Sequence, residues 1–148
     1  MTVAPSAITK VNLPTWARLD EAVFDKAQAT AAINVPGFTL RATTTAKPKS
    51  LTLAPGRADA TTIPADVECP VVDGRIGEPY ATGKTRETPP CGVLHRRSSA
   101  GGTLPLKVAL TWEISWTGTD QTGPIGMPDG TIEAVQNIKA EEIQSVNR

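Results

Sequence analysis

Residues 104–117 have the sequence LPLKVALTWEISWT, and this stretch decides the fold of the chain. Apolar side chains occupy every second position from Leu104 to Trp116, and mostly polar residues stand between them. A period of two is typical of a β-strand, because successive side chains point to opposite faces of the sheet. We therefore predict one long strand whose apolar side, with Trp112 and Trp116, is buried in the core. A sugar-stacking platform made of these two rings is the alternative if that side is exposed.

Shorter alternating stretches predict further strands upstream. Residues 38–44 follow a Pro36-Gly37 turn and alternate apolar side chains with Thr and Arg, and residues 50–53 alternate again. Residues 13–31 are mixed, so we predict a helical turn or an irregular strand there, within an N-terminal entry segment 1–28. The chain has 12 Gly and 13 Pro and is only 4% aromatic, a composition that favours many turns and an all-β fold.

Two regions have the composition of loops. Residues 54–90 are rich in proline with little apolar periodicity, and residues 118–130 are rich in Gly, Pro and Thr. A long irregular segment inside a compact domain is uncommon, so residues 54–90 are either a functional surface loop or contain short strands that the pattern does not reveal. If the domain has a recognition surface, we expect it in this segment. Residues 132–146 fit a helical period, and they also fit a strand with a β-bulge at Glu141-Glu142.

The charge balance argues against a polyanionic partner. Lys plus Arg and Asp plus Glu number 15 each, so the formal net charge is zero, whereas nucleic-acid binders usually carry a basic surplus. No apolar run is long enough to cross a bilayer. Residues 1–10 lack the pattern of a secretory signal, so we expect either a cytosolic protein or a mature domain without its export segment.

The two cysteines, Cys69 and Cys91, favour a disulfide. A metal site needs more ligands than the single His95 adds, and a thiol–imidazole pair is disfavoured because Cys91 and His95 lie four residues apart on an extended chain. Two free buried thiols remain the alternative. A bridge closing a loop of about 22 residues contributes on the order of 3 kcal/mol and indicates an oxidising compartment.

No catalytic constellation is evident in the sequence. His95 could join a Ser-His-Asp arrangement with Asp66 or Asp73, but no strained nucleophile turn of the Gly-x-Ser-x-Gly kind occurs. The acid pairs Asp20-Glu21 and Glu141-Glu142 could suggest glycoside chemistry. Adjacent residues of a strand point to opposite faces, however, so neither pair can act together on one bond. We predict that the protein is not an enzyme.

Gly83-Lys84-Thr85 matches only the end of a phosphate-binding P-loop. The motif needs a glycine where this chain has Glu78, a carboxylate placed where a phosphate must approach. No apolar strand precedes the segment and no apolar helix follows it. We therefore predict no nucleotide and no other cofactor.

Several stretches of the chain together carry a family resemblance: Leu13–Trp16, Thr43–Pro48, Leu53–Gly56, Pro89–Gly92, Arg97–Ser99, Leu110–Gly118 and Glu142–Asn147. They resemble a group of poorly characterised secreted or membrane-anchored proteins of filamentous actinobacteria. In that group a Pro-Pro-Cys-Gly segment precedes a Thr-Trp-x-x-x-Trp-Thr-Gly strand, and the chain closes on a strand ending Glu-(Ile/Val)-Gln. The resemblance implies an extracytoplasmic, immunoglobulin-like β-domain, favours the strand interpretation of 132–146, and implies no activity.

We therefore expect a single-domain, immunoglobulin-like β-sandwich over residues 1–148, bridged by Cys69–Cys91 and located outside the cell or in its envelope. The expected function is that of a non-enzymatic protein-binding or adaptor module acting through its loops. The candidate contact residues are Trp16, Arg75, Tyr80, His95 and Arg96.

Two alternatives stay open: a module that binds cell-wall or extracellular glycan, and a structural subunit of a secreted or phage-like assembly. An exposed aromatic pair beside a groove would favour glycan binding. An exposed apolar patch or an unpaired strand edge would favour protein assembly.

Overall fold

The computed structural model describes residues 2–4, 8–19, 25–65 and 68–143, and the regular structure in these ranges is entirely β. The predicted all-β class is therefore confirmed. The strands are β1 (Thr2–Ala4), β2 (Ile8–Lys10), β3 (Pro14–Arg18), β4 (Ala27–Val35), β5 (Phe38–Pro55), β6 (Ala60–Ile63), β7 (Cys69–Pro70), β8 (Gly92–His95), β9 (Leu104–Gly118) and β10 (Ile125–Glu141).

The strands form two sheets of very different extent. The small sheet has the order β1-β3-β8-β6, and the large sheet has the order β2-β10-β9-β5-β4, with β7 paired to β5. Strands β5, β9 and β10 have 18, 15 and 17 residues, far longer than a usual strand of five or six. The immunoglobulin-like arrangement expected from the sequence is not confirmed, since these strands extend well beyond the four-stranded sheet that faces them.

The core lies between the small sheet and one end of the large sheet. Leu51, Leu106 and Ile138 from the large sheet are at most 1% exposed, and Val93 from the small sheet is buried with them. A buried hydrogen bond of 2.5 Å between the hydroxyl groups of Thr9 on β2 and Thr15 on β3 connects the layers. We call this two-layered part of the molecule the compact end.

The predicted disulfide is confirmed. Cys69 on β7 and Cys91, directly before β8, are bridged with an S–S distance of 2.04 Å, and both residues are buried in the core. The bridge therefore links the large sheet, through β7 and β5, to the small sheet. The described residues contain no free cysteine.

The structure decides between the two alternatives for residues 54–90 and corrects the loop expected at residues 118–130. Residues 54–90 contain β6 and β7, and their second half packs on β3, where Ile76 is fully buried and its carbonyl accepts a hydrogen bond from Leu19 N at 3.0 Å. Residues 118–130 are not a loop throughout, because β10 begins at Ile125.

Two ambiguous segments are also settled where the structure describes them. Residues 14–18 form strand β3, and the C-terminal segment is strand up to Glu141. The long β10 pairs with β9 along nearly its whole length, which a helix could not do. Asp20-Glu21, Asp66 and residues 144–148 lie outside the described residues.

Candidate functional site: an uncovered sheet arm

The most unusual feature of the molecule is the half of the large sheet that the small sheet does not cover. We call it the arm and define it as residues 27–35, 38–48, 112–118 and 125–130. Its strands run in the order β10-β9-β5-β4. All nine residues of β4 are exposed. Its strands are therefore held together mainly by backbone pairing and by contacts within the sheet itself.

The strand register sorts the arm residues into an apolar and a polar face. Directly opposed residues of antiparallel strands share a face, and the register pairs Ile33 with Leu40, Thr44 with Trp116, and Trp116 with Ile125. The apolar face so defined comprises Ala27, Ala29, Ala31, Ile33, Val35, Phe38, Leu40, Ala42, Thr44, Ala46, Pro48, Trp112, Ile114, Trp116, Ile125 and Met127.

This apolar face is open to solvent and carries no charge. Ile33, Phe38 and Met127 are 59%, 56% and 48% exposed. The charged side chains of the arm strands, such as Arg41 and Glu113, lie on the opposite face. The apolar face is also the continuation of the core side of β9, so one row of side chains is buried at one end and uncovered at the other.

On the opposite, polar face, side chains of the neighbouring strands β4 and β5 form hydrogen bonds with each other. Gln28 Nε2 donates to Thr45 Oγ1 at 3.0 Å, and the hydroxyl groups of Thr30 and Thr43 are 2.9 Å apart. Cross-strand pairs of this kind each add a fraction of a kcal/mol to sheet stability. The polar face is therefore suited to water, and the two faces of the arm differ sharply in character.

Two β-bulges mark the place where the arm leaves the compact end. The register shifts between Pro48 and Ser50 on β5 and between Met127 and Gly130 on β10, and both shifts flank Trp112 of the intervening strand. Extra residues of this kind bend and twist a sheet locally. Lys49 Nζ donates to Asp129 Oδ2 at 2.6 Å, joining the two bulges, and this hydrogen bond raises the pKa of Lys49.

The two edges of the arm differ in how well they are protected. Strand β4 is the outermost strand, and in the described structure it pairs only with β5. It contains no charged residue and no proline over nine positions. The edge of β10 carries Pro128, Asp129 and Glu133 and is interrupted by its bulge. Proline, charge and bulges are the means by which proteins keep strand edges from pairing, so β10 is protected and β4 is not.

Four of the residues predicted as partner contacts lie in the compact end, whereas Arg75 lines a cavity together with Lys47 and Pro48 at the base of the arm. Trp16 is only 3% exposed. The Tyr80 ring stands edge-on to it at 6.1 Å, and Lys84 Nζ lies 5.4 Å from its centroid. Tyr80 is half-buried, and its hydroxyl group is 2.9 Å from that of Thr85. This aromatic cluster fastens the loop of residues 76–87 to β3, and its partner-binding role stays a prediction.

The remaining predicted contacts are dispersed. Arg75 is exposed and exchanges backbone hydrogen bonds with Val72, whereas Arg96 is exposed at the end of β8, where its N–H donates to Asp59 O. His95 is 3% exposed in the small sheet, and burial lowers its pKa. The structure does not bring these residues together into one surface.

The surroundings of His95 offer no hydrogen-bonded catalytic chain within the described residues. Its Nε2 atom is buried without a hydrogen-bond partner there. The Asp59 carboxylate is held by Arg57 at 3.0 and 3.2 Å, and Ser99 Oγ donates to Ala140 O at 3.2 Å. No group of His, Cys, Asp and Glu residues in the described part of the chain is arranged to hold a metal ion.

Comparisons with known protein families, with curated proteins and with solved structures find no match. Among the described residues, no helix has the length and apolar character needed to cross a membrane.

The arm was missed by sequence reasoning, although one signal for it exists. Residues 27–46 form a strand–turn–strand pattern in which Ile33, Val35, Phe38 and Leu40 are large and apolar around a Pro-Gly turn. Alternation predicts a face but not what covers it, so these residues pass for ordinary core positions. Only the sheet topology reveals that no layer of the described structure lies over them.

Proposed function

We propose that this protein is a non-enzymatic structural subunit that assembles with further copies of itself through the arm. The observation that carries the proposal is the uncharged apolar face of the arm, which continues the core side of β9 into solvent. Contiguous exposed apolar surface of this kind is typical of protein–protein interfaces. In such an assembly the apolar face of the arm would contact neighbouring subunits, while its polar face would remain in solvent.

The total surface of the chain supports the same proposal. Its accessible surface is 9530 Å². A compact monomer of 15.6 kDa exposes about 7,200 Å², so the surplus is about 2,300 Å². Permanent complexes bury about 2,000 to 5,000 Å² summed over both partners, which is about 1,000 to 2,500 Å² on each chain. The surplus is thus of the size that an assembly subunit buries when it meets its neighbours.

An extracytoplasmic location fits this role. The Cys69–Cys91 bridge is the type of cross-link that persists in oxidising compartments. A disulfide that fastens the small sheet to the large one stabilises the end of the molecule from which the arm extends. We therefore propose an assembly of the cell envelope, of the extracellular space or of a particle that leaves the cell.

Glycan binding is less well supported by the same face. Trp112 and Trp116 are partly exposed on it, as a stacking platform requires. A sugar site also needs polar groups that fix the hydroxyls, and the apolar face offers one hydroxyl, that of Thr44, beside alanines and aliphatic side chains. Such surroundings fit a protein surface better than a polysaccharide.

The experiment is sedimentation velocity on the purified full chain over a wide concentration range, with two matched variants. Leu40→Asp places a charge on the apolar face, and Thr39→Asp places the same charge on the polar face of the same strand. We expect the parent and Thr39→Asp to form oligomers as concentration rises. Leu40→Asp should weaken association at least about tenfold, because a desolvated charge without a partner is costly.

Circular dichroism is the control for folding, since both positions are exposed and both variants should keep the β spectrum. A parent that stays monomeric at every concentration would overturn the proposal. Equal association of the two variants would show that the apolar face is not the interface.

A further inference from the structure

We infer that two copies of this chain join along β4, antiparallel about a two-fold axis at Ala31, so that two arms become one continuous sheet. The inference rests on the proposed function and specifies the contact. Strand β4 is the edge strand of the arm, it is exposed at all nine positions, and its sequence is AQATAAINV. A row of unpaired backbone N–H and C=O groups is a ready template for another strand.

The side-chain sizes of β4 are complementary to those of its own reversed copy. With Ala31 opposite Ala31 of a second copy, Ala29 opposes Ile33 and Ala27 opposes Val35, so a small residue meets a large one at every apolar-face pair outside the central Ala31 pair. On the polar face Gln28 opposes Asn34. Because β4 has no charged residue, this register brings no like charges together.

The expected strength of the contact is that of a specific interface. Nine antiparallel residue pairs form about nine backbone hydrogen bonds, close to the number found in a typical protein–protein interface. A two-fold contact uses the same patch on both copies, which is the commonest symmetry of soluble oligomers. Joining the two arms also merges their apolar faces, which doubles the surface that further subunits can cover.

Pairing of β4 with the β10 edge of another copy is less favourable. Over the arm, that edge carries Pro128, which has no N–H to donate, and Asp129, which is already engaged with Lys49. The bulge between Met127 and Gly130 interrupts the regular ladder. The regular nine-residue edge of β4 therefore pairs better with β4 of a second copy than with its β10 edge.

Cysteine cross-linking tests the register directly. Residues facing each other across an antiparallel pair have Cα atoms about 4.5 to 5.5 Å apart, within the range that a disulfide spans. The native cysteines are already bridged. We expect Ala31→Cys to form a covalent homodimer under mild oxidation, in a yield at least about tenfold above Ala29→Cys, whose two copies would stand about 13 Å apart along the strands.

A mixture completes the test. Ala29→Cys and Ile33→Cys, carrying tags of different mass, should each stay monomeric on non-reducing gels and should cross-link to each other when mixed. Equal yields for Ala31→Cys and Ala29→Cys would overturn the inference. If the parent nevertheless forms oligomers that Leu40→Asp weakens, the proposed function stands and only the β4 contact is wrong. A parent that is monomeric, with no cross-linking at any position, would overturn both.

Discussion

The two halves of β9 show how the same sequence pattern produces two different structural outcomes. From Leu104 to Leu110 the apolar side of the strand lies under the small sheet and is buried, whereas from Trp112 to Trp116 the same side is partly exposed. The strand continues without a break in its alternation. What changes is the layer above it, which ends near Trp112, a ring that still packs against the core.

The difference shows that burial is a property of the topology rather than of a strand's pattern. In the compact end, side chains from two sheets and a disulfide hold the structure together. In the arm, stability comes from backbone pairing, cross-strand contacts and the bulge-to-bulge pair Lys49–Asp129. The apolar face of the arm contributes little to the stability of the isolated chain, and its burial energy remains for association.

The largest difference between the two regions is expected when one apolar side chain is shortened in each half of β9. Leu106→Ala removes a side chain that is 1% exposed and should lower the free energy of unfolding by about 2–5 kcal/mol. Ile114→Ala, eight residues along on the same face, should cost less than about 1.5 kcal/mol, because that side chain is already partly solvated. Urea unfolding of both variants at low protein concentration, where chains are separate, gives the two values.

Equal losses at positions 106 and 114 would mean that the arm face is covered in the single chain, and the proposed role of the arm would fail. The Ile114→Ala variant can also be measured at high protein concentration, where the chains associate. Ile114→Ala should then weaken association while leaving monomer stability nearly unchanged.

Sequence reasoning predicted the elements of the fold better than their arrangement. The strand at 104–117, the turn at Pro36-Gly37 and the disulfide are all present, since each depends on a local pattern or on a pair of residues. The start of β10 within a Gly-Pro segment was missed, because its pairing with β9 overrides the local preference of residues 125–130 for a loop.

The candidate site could not be predicted from the chain alone. From the sequence, Trp16 is a candidate surface contact, yet its packing against Tyr80 in the folded chain buries it. Ile33 and Phe38 are of residue types that usually lie in a core, yet both are exposed and no layer among the described residues covers them. In both cases the decisive fact is which distant segment lies opposite, and a period of two in one strand contains no information about it.

A smaller effect is expected from the disulfide, and it should be confined to the compact end. The double variant Cys69→Ser/Cys91→Ser removes a bridge that closes a loop of 22 residues, so the free energy of unfolding should fall by about 3 kcal/mol. The bridge joins β7 to the residue directly before β8, and β8 pairs with β6, whereas β4 pairs with β5 in the arm. Hydrogen exchange should therefore accelerate in β6 and β8 more than in β4, and a uniform acceleration would contradict the division into two regions.

The smallest effect is expected from a change of pH, because His95 is a buried titratable group of the compact end. Burial is the main cause that lowers its pKa below the ordinary value of 6.5, Arg57 adds to the lowering, and Asp59 opposes it. Below pH 6.5 the unfolded chain binds the proton more readily than the folded one, so stability is full above that pH and is lost as the pH falls toward the lowered pKa. Urea midpoints measured from about pH 7.5 down to about pH 5.5 should decline for the parent and stay nearly level for His95→Asn, whatever the absolute stability of that variant. An equal decline in both proteins would show that the imidazole is accessible to protons in the folded state, and that the small sheet does not seal this end of the molecule.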